Sequence, residues 1–194
     1  RFVDHKKEGL WTEWCWDGQK YSEGSYKNGE KEGLWTEWDE NGQKSEASYK
    51  NGEREGPWTF WHDNGQKKQE GEVKNGEQEG LWTHWHDNGQ KKQEGEFKNN
   101  KREGRFTGWH DNGQKMEEGE FNDGKYEGLW TVWNKSGSIN HASGIYKADE
   151  KIADLTGDPT RSKMSEHVIF IDDASACWSE VTLDSGEHIL ISVA

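Results

Sequence analysis

A glycine recurs at Gly9, Gly33, Gly56, Gly80, Gly104 and Gly128, in steps of 24, 23, 24, 24 and 24 residues, and no other feature limits the fold so tightly. A tryptophan keeps the same phase at Trp14, Trp38, Trp61, Trp85, Trp109 and Trp133, and so does a later glycine at Gly18, Gly42, Gly65, Gly89, Gly113 and Gly137. A fixed period of this length implies stacked supersecondary units, none of which buries its apolar face alone.

The unit in residues 80–103 is GLWTHWHDNGQKKQEGEFKNNKRE. Leu81 to His86 is rich in aromatic and strand-favouring side chains, and the run stops at Asp87-Asn88-Gly89. Asn-Gly readily takes the positive φ angles of a two-residue type I′ loop, so the pattern predicts a strand entering a tight hairpin there. The chain returns through Gln90 to Lys98, and a second polar turn at Asn99-Asn100, Asn-Gly in most copies, leads to the next unit. Each copy is therefore expected to be two strands and two turns.

With Asn88 and Gly89 as the loop, counting outward places Trp85 opposite Lys92 and Trp82 opposite Gly95. Alternation of side chains then puts Trp82, His84, His86, Lys91, Gln93, Gly95 and Phe97 on one face, and Leu81, Thr83, Trp85, Lys92, Glu94 and Glu96 on the other. A glycine across from an indole leaves bare backbone for the ring, so Trp82 is expected to cover Gly95, and Trp130 to sit likewise with a slip at Gly144. The expected repeat core is Trp11, Trp35, Trp58, Trp82, Phe106 and Trp130, with Gly24, Gly71, Gly95 and Gly119 beneath the rings.

Glu118-Gly119-Glu120-Phe121-Asn122-Asp123-Gly124-Lys125, followed by Gly128, resembles a MORN repeat. The Gly-Leu-Trp-Thr-x-Trp and Asn-Gly-Gln-Lys elements look more specifically like the variant found in bacterial antitoxin-like proteins. The resemblance covers roughly residues 8 to 147. It implies an all-β fold, an elongated single-sheet meander of six stacked hairpins with a short β-rich tail, and a role in binding partners.

The apolar content, 28%, and mean hydropathy, −1.32, are low, yet the chain holds 13 Trp, of which all but Trp16 and Trp178 occupy repeat positions. Large rings thus supply the burial that aliphatic side chains usually give. A formal charge of −13 opposes capture of nucleic acid or anionic lipid and suits a basic protein partner. No run reaches the ~20 apolar residues needed to cross a bilayer, so direct membrane insertion is not expected. The chain begins at Arg1, which is consistent with a soluble bacterial cytoplasmic protein or one secreted or periplasmic after loss of a leader.

Phe2 to Glu8 can be laid on Phe97 to Glu103, as the end of an incomplete preceding unit. Copy one has Cys15-Trp16 where later copies have His-Asp; copy two is one residue short and carries Ala47 where glycine is usual, a methyl expected beneath Trp35; copy five has Phe106. The array is expected over residues 1–147, a polar connector over 148–165 and a β-rich tail over 166–194. Strand candidates in the tail are His167 to Ile171, Ser179 to Leu183 and His188 to Val193, forming a cap on the last repeat or a strand donated to a partner.

His62, His86 and His110 recur at one position, but equivalent residues of adjacent copies should stand about 10 Å apart, too far to share one zinc ion. They are expected to be solvated, and His84 and His86 would find only Gln93 and Lys91 as neighbours. His167, Asp172 and Cys177 include the residue types of a thiol nucleophile without a matching spacing. No catalytic, metal-ligating or cofactor-binding set is therefore expected. Trp16 and Trp178, outside the pattern, are the candidate partner contacts. The sequence points to a non-catalytic protein-interaction module, either an antitoxin-like neutraliser or a subunit of a larger assembly. The alternatives are a secreted carbohydrate-binding module using exposed Trp, and a small enzyme in the tail.

Overall fold

A computed structural model describes residues 1–154 and the backbone pairing of two strands, Cys177–Thr182 and His188–Val193. The described part is all β. A short hairpin, β1 (Phe2–Val3) and β2 (Lys6–Lys7), precedes a 13-stranded antiparallel sheet. Its strands are β3 (Gly9–Trp14) and β4 (Lys20–Lys27), β5 (Glu30–Trp38) and β6 (Lys44–Lys50), β7 (Glu53–Trp61) and β8 (Lys67–Lys74), β9 (Glu77–Trp85) and β10 (Lys91–Lys98), β11 (Lys101–Trp109) and β12 (Lys115–Asn122), and β13 (Lys125–Val132) and β14 (Gly144–Lys147), closed by β15 (Glu150–Asp154). Spatial order follows chain order throughout, so the sheet is a meander of six hairpins.

The sheet continues past residue 147, the expected end of the array. Ala148 and Asp149 take φ of 50° and 74° and turn the chain into β15, so part of the expected connector is sheet. Beyond it, β16 (Cys177–Thr182) and β17 (His188–Val193) pair antiparallel as a separate two-stranded sheet. The strand expected at His167 to Ile171 lies outside the described residues.

The two turns of each unit are exchanged relative to expectation. At Asp87-Asn88-Gly89 the Gly89 amide donates to the His86 carbonyl at 3.0 Å and the His86 amide to the Gln90 carbonyl at 2.9 Å. Gly89 alone takes positive φ, 80°. This is the three-residue loop built on a type I turn, with glycine at the left-handed position. The type I′ geometry belongs instead to the inter-unit turn, where Asn75 and Gly76 have φ of 51° and 77°. Asn88 is used differently: its side-chain oxygen accepts from the Gln90 amide at 3.0 Å.

The three-residue loop changes the register only near the turn. Trp85 faces Lys91, not Lys92, and Lys92 is the extra residue of a bulge; from His84 opposite Gln93 onward the expected register holds, with Trp82 facing Gly95. Lys91 thereby moves to the Trp85 face, where its Nζ donates to Glu94.

A second irregularity decides the packing. Between β8 and β9 the pairing runs Glu70 with Thr83 and then Glu72 with Glu79, so Gly80-Leu81-Trp82 oppose Gly71 alone. The bulge turns on Gly80, with φ of 69°. It leans the Trp82 indole back over β8, onto Gly71 of the preceding unit, where an added β-carbon would meet the ring at 2.3 Å. The expected cover of Gly95 by Trp82 is thus corrected: Phe106 covers Gly95, Trp35 covers Gly24 and Trp130 covers Gly119. Gly144 pairs with Trp130 but is approached by Ala153 and Lys151 instead of the ring. Strand pairing fixes which glycine an indole faces, and the bulge on the other edge decides which one it covers.

Candidate interaction surfaces

The expected core residues occupy one face, termed the front. Trp35, Trp82 and Trp130 are fully buried and Phe106 nearly so. Each of the three indoles donates its Nε1–H to a carbonyl of the preceding strand: Trp35 to Ser25 at 3.0 Å, Trp82 to Glu72 at 3.1 Å and Trp130 to Glu120 at 3.0 Å. Ring thus follows ring in edge-to-face contact, as between Tyr26 and Trp35 and between Phe121 and Trp130.

Two expected core positions depart from the rule. Trp11, in the first strand of the sheet, is partly buried, and its Nε1–H donates to the Glu8 carbonyl. Ala47 pairs with Trp35 on one side and with Trp58 on the other, and its methyl is buried in a cluster with Trp35 and Tyr49 against which Trp58 packs. The Trp58 indole is only partly buried there, and the Nε1–H bond that Trp35, Trp82 and Trp130 make is absent among the described residues. It tilts toward Phe60, with ring centroids 4.7 Å apart.

Cations cover the outer side of the front-face rings. Lys7 lies over Trp11 and Tyr26 while bonding Glu13 at 2.6 Å, and Lys31 lies over Trp35 and Tyr49 while bonding Glu37 at 2.6 Å. The Lys7 ammonium and the Ser22 hydroxyl hold the Glu13 carboxyl below its usual range. Farther along, Glu37 gives way to Phe60, His84 and Gly108 at the equivalent positions, and the face loses these carboxylates. Arg102 stacks over Phe106 and Phe121. Glu117, opposite Gly108, is pushed up by burial.

The opposite face, the back, carries a second repeating network that the sequence did not disclose. Thr83 donates to Glu94 at 3.1 Å, Lys91 bonds the same carboxylate at 2.5 Å, and the Lys91 ammonium lies 5.6 Å from the Trp109 ring of the next unit. Lys20, Lys67 and Lys115 repeat both the carboxylate bridge and the seat over the next tryptophan. The recurrence of Thr, Glu, Lys and Trp in phase was the available signal. Its meaning required knowing that the bulge moves the lysine across the sheet.

The recurring histidines are not simply solvated. His62, His86 and His110 each direct Nε2 at the carbonyl of Trp85, Trp109 and Trp133, at 3.0, 2.9 and 2.9 Å. Beside them Asn64, Asn88 and Asn112 donate to Asp87, Asp111 and Lys135. The turns of successive units are therefore joined by rungs, and a polar hollow of about 290 Å³ between them is lined by Gln43, His62, Asp63, Asn64 and Asp87. His84 is separate from this ladder. Its Nε2 is buried without a partner, and burial, helped by Lys92 and Arg102, lowers its pKa to about 4. Among the described residues no three His, Cys, Asp or Glu side chains converge as metal ligands.

Residues 31–51, 54–75, 78–99 and 102–123 match the family model of the MORN repeat variant. These four units are similar to the MORN repeat variant. The matched stretches coincide with the second to fifth hairpins, each ending near the type I′ turn. No curated protein matches the chain. The first and sixth hairpins extend the same sheet with the same topology while departing in sequence, at Cys15-Trp16 and at Ser136-Gly137-Ser138. Of the expected contact residues, Trp16 is 100% exposed in the first turn, beside the exposed thiol of Cys15. The side chains of Trp178 and Cys177, and all of His167 and Asp172, lie outside the described residues.

Proposed function

We propose that this chain is a non-catalytic protein-binding module, a stiff MORN sheet whose faces and exposed rings engage another protein. The observation that carries the reading is how the chemically capable side chains are employed. His62, His86 and His110 are directed at backbone carbonyls, and Lys20, Lys67, Lys91 and Lys115 are bridged to carboxylates over tryptophan rings. Those groups build the scaffold, leaving exposed apolar residues such as Trp16 and Leu81 on a strongly acidic chain. Such a surface suits a basic protein. In its most concrete form the module neutralises a basic toxin by covering its working surface; in its second form it is an assembly subunit of a larger complex.

Affinity capture on the immobilised chain, read by mass spectrometry and repeated with Trp16→Ala, tests this. The expected result is retention of a basic protein that the variant holds less tightly. Failure to retain any protein over a blank matrix refutes the reading.

A further inference from the structure

The residue after the glycine that opens each unit points to the back face, on the same side as the Thr and second Trp rows. In the first four units it is Leu10, Leu34, Pro57 and Leu81, followed by Arg105 and Leu129. Leu34 is 58% and Leu81 56% exposed, and Pro57 is exposed between them. Their hairpin partners are Ser48, Glu72 and Glu96, of which the two carboxylates are exposed. An apolar stripe thus runs across the strands, one side chain per unit, with Ser48, Glu72 and Glu96 on the strands between.

We propose that this stripe docks an extended, basic segment of a partner protein that presents an apolar side chain at every third residue. The inference rests on the protein-binding reading and names the partner's chemistry. With two strands per unit, the apolar groups recur at about 10 Å. A polyproline-type chain has three residues per turn and advances about 9.3 Å in that turn, which keeps every third side chain on the stripe. A β-strand repeats at about 6.6 Å and falls out of step. A helix repeats at about 10.5 Å per heptad, but the sheet twists by roughly 40–50° per two-stranded unit, so a straight rod leaves the stripe after about one repeat. A polyproline-type chain has no internal hydrogen bonds to break and can wind with it. Lysines or arginines between its apolar residues meet Glu72 and Glu96.

The test uses the full chain and three peptides of equal length with equal numbers of Leu and Lys: (Leu-Pro-Lys)₄, a heptad-patterned helix former and a scramble. Calorimetric titration and methyl NMR of Leu34 and Leu81 read binding. The expected result is that (Leu-Pro-Lys)₄ binds tightest and moves both leucines, that Leu34→Ser and Leu81→Ser each weaken it by about ten-fold, and that Arg105→Leu tightens it. Circular dichroism confirms that these exposed substitutions leave the sheet folded. Tighter binding of the helical peptide, or unchanged affinity in both serine variants, overturns the proposal. Binding of no peptide by a chain that still captures a basic protein overturns this proposal alone, whereas capture of no protein overturns the reading it rests on.

Discussion

The indole of Trp82 rests on the α-carbon of Gly71, so closely that a β-carbon there would lie 2.3 Å from the ring. The contact joins one hairpin to the one before it and ends in the Nε1–H bond to Glu72. Because each repeat is held mainly by its neighbours, this stack ties the array together. Replacing Gly71 or Gly119 by Ala should force the ring outward and cost about 1–3 kcal/mol, measurable as a lower urea midpoint. A midpoint equal to that of the parent would show that the ring is not what binds the units.

Ala47 shows part of that result within the chain. Its methyl stands opposite Trp58 where the other copies have a glycine, and the Trp58 ring is partly exposed where Trp35 and Trp82 are at 0%. In Ala47→Gly the indole should settle onto residue 47 and donate to the carbonyl of Ser48. The measurement is hydrogen exchange of the Trp58 indole proton, expected to slow by at least ten-fold once bonded and buried. Net stability should change by under about 1 kcal/mol, because glycine in a strand loses about as much entropy as the contact returns. Unchanged exchange would mean that Pro57 or Phe60, not the methyl, holds the ring out.

These two sites mark what the sequence disclosed. Period, strand number and the pairing of Trp82 with Gly95 were legible, since side-chain alternation and turn glycines report pairing directly. The direction in which the ring leans was not. It depends on Gly80 taking positive φ and inserting extra residues against Gly71, and a glycine in a strand looks the same in sequence whether it makes a bulge or a slot for a ring. The rungs were hidden for a related reason. His86 meets a backbone carbonyl of the next unit, and carbonyls leave no trace in residue identity.

The rungs can be measured one at a time. His86→Ala removes a single side-chain bond to the Trp109 carbonyl and should cost about 0.5–1.5 kcal/mol. The sites of His62, His86 and His110 lie about 10 Å apart with different partners, so the triple alanine variant should lose close to the sum of the single losses. Denaturant titration of the four variants checks this. A triple variant no worse than one single would show that the ladder is decorative.

On the back face the tryptophan matters more than the charge above it. Lys91 bridges Glu94 from an exposed position over Trp109, and both an exposed ion pair and an exposed cation over a ring contribute little. Lys91→Gln should therefore cost under about 1 kcal/mol and show little dependence on salt. Trp109→Ala, which removes a half-buried ring, should cost about 2–4 kcal/mol. The reverse order in thermal unfolding would make the lysine, not the ring, the principal tie.

His84 gives the array a dependence on acid. Its imidazole is held neutral, with a pKa of about 4 against an ordinary 6.5, mainly by burial and then by Lys92 and Arg102. Between these values the unfolded chain binds a proton that the folded chain refuses, so stability attributable to His84 is complete above pH 6.5 and falls as pH drops toward 4. Glu117 acts in the opposite sense: burial raises its pKa, so its contribution is present at acid pH and is lost as pH rises through the folded value. Glu13, whose pKa Lys7 lowers, loses its contribution only as pH falls below the ordinary carboxylate range. His84→Gln should flatten the decline between pH 6.5 and 4, and Glu117→Gln should steepen it by removing the opposing trend. NMR titration of the His84 ring gives the direct check, with protonation expected only below pH 5. A His84 titrating near 6.5 would mean that Nε2 reaches water and that the acid dependence arises elsewhere.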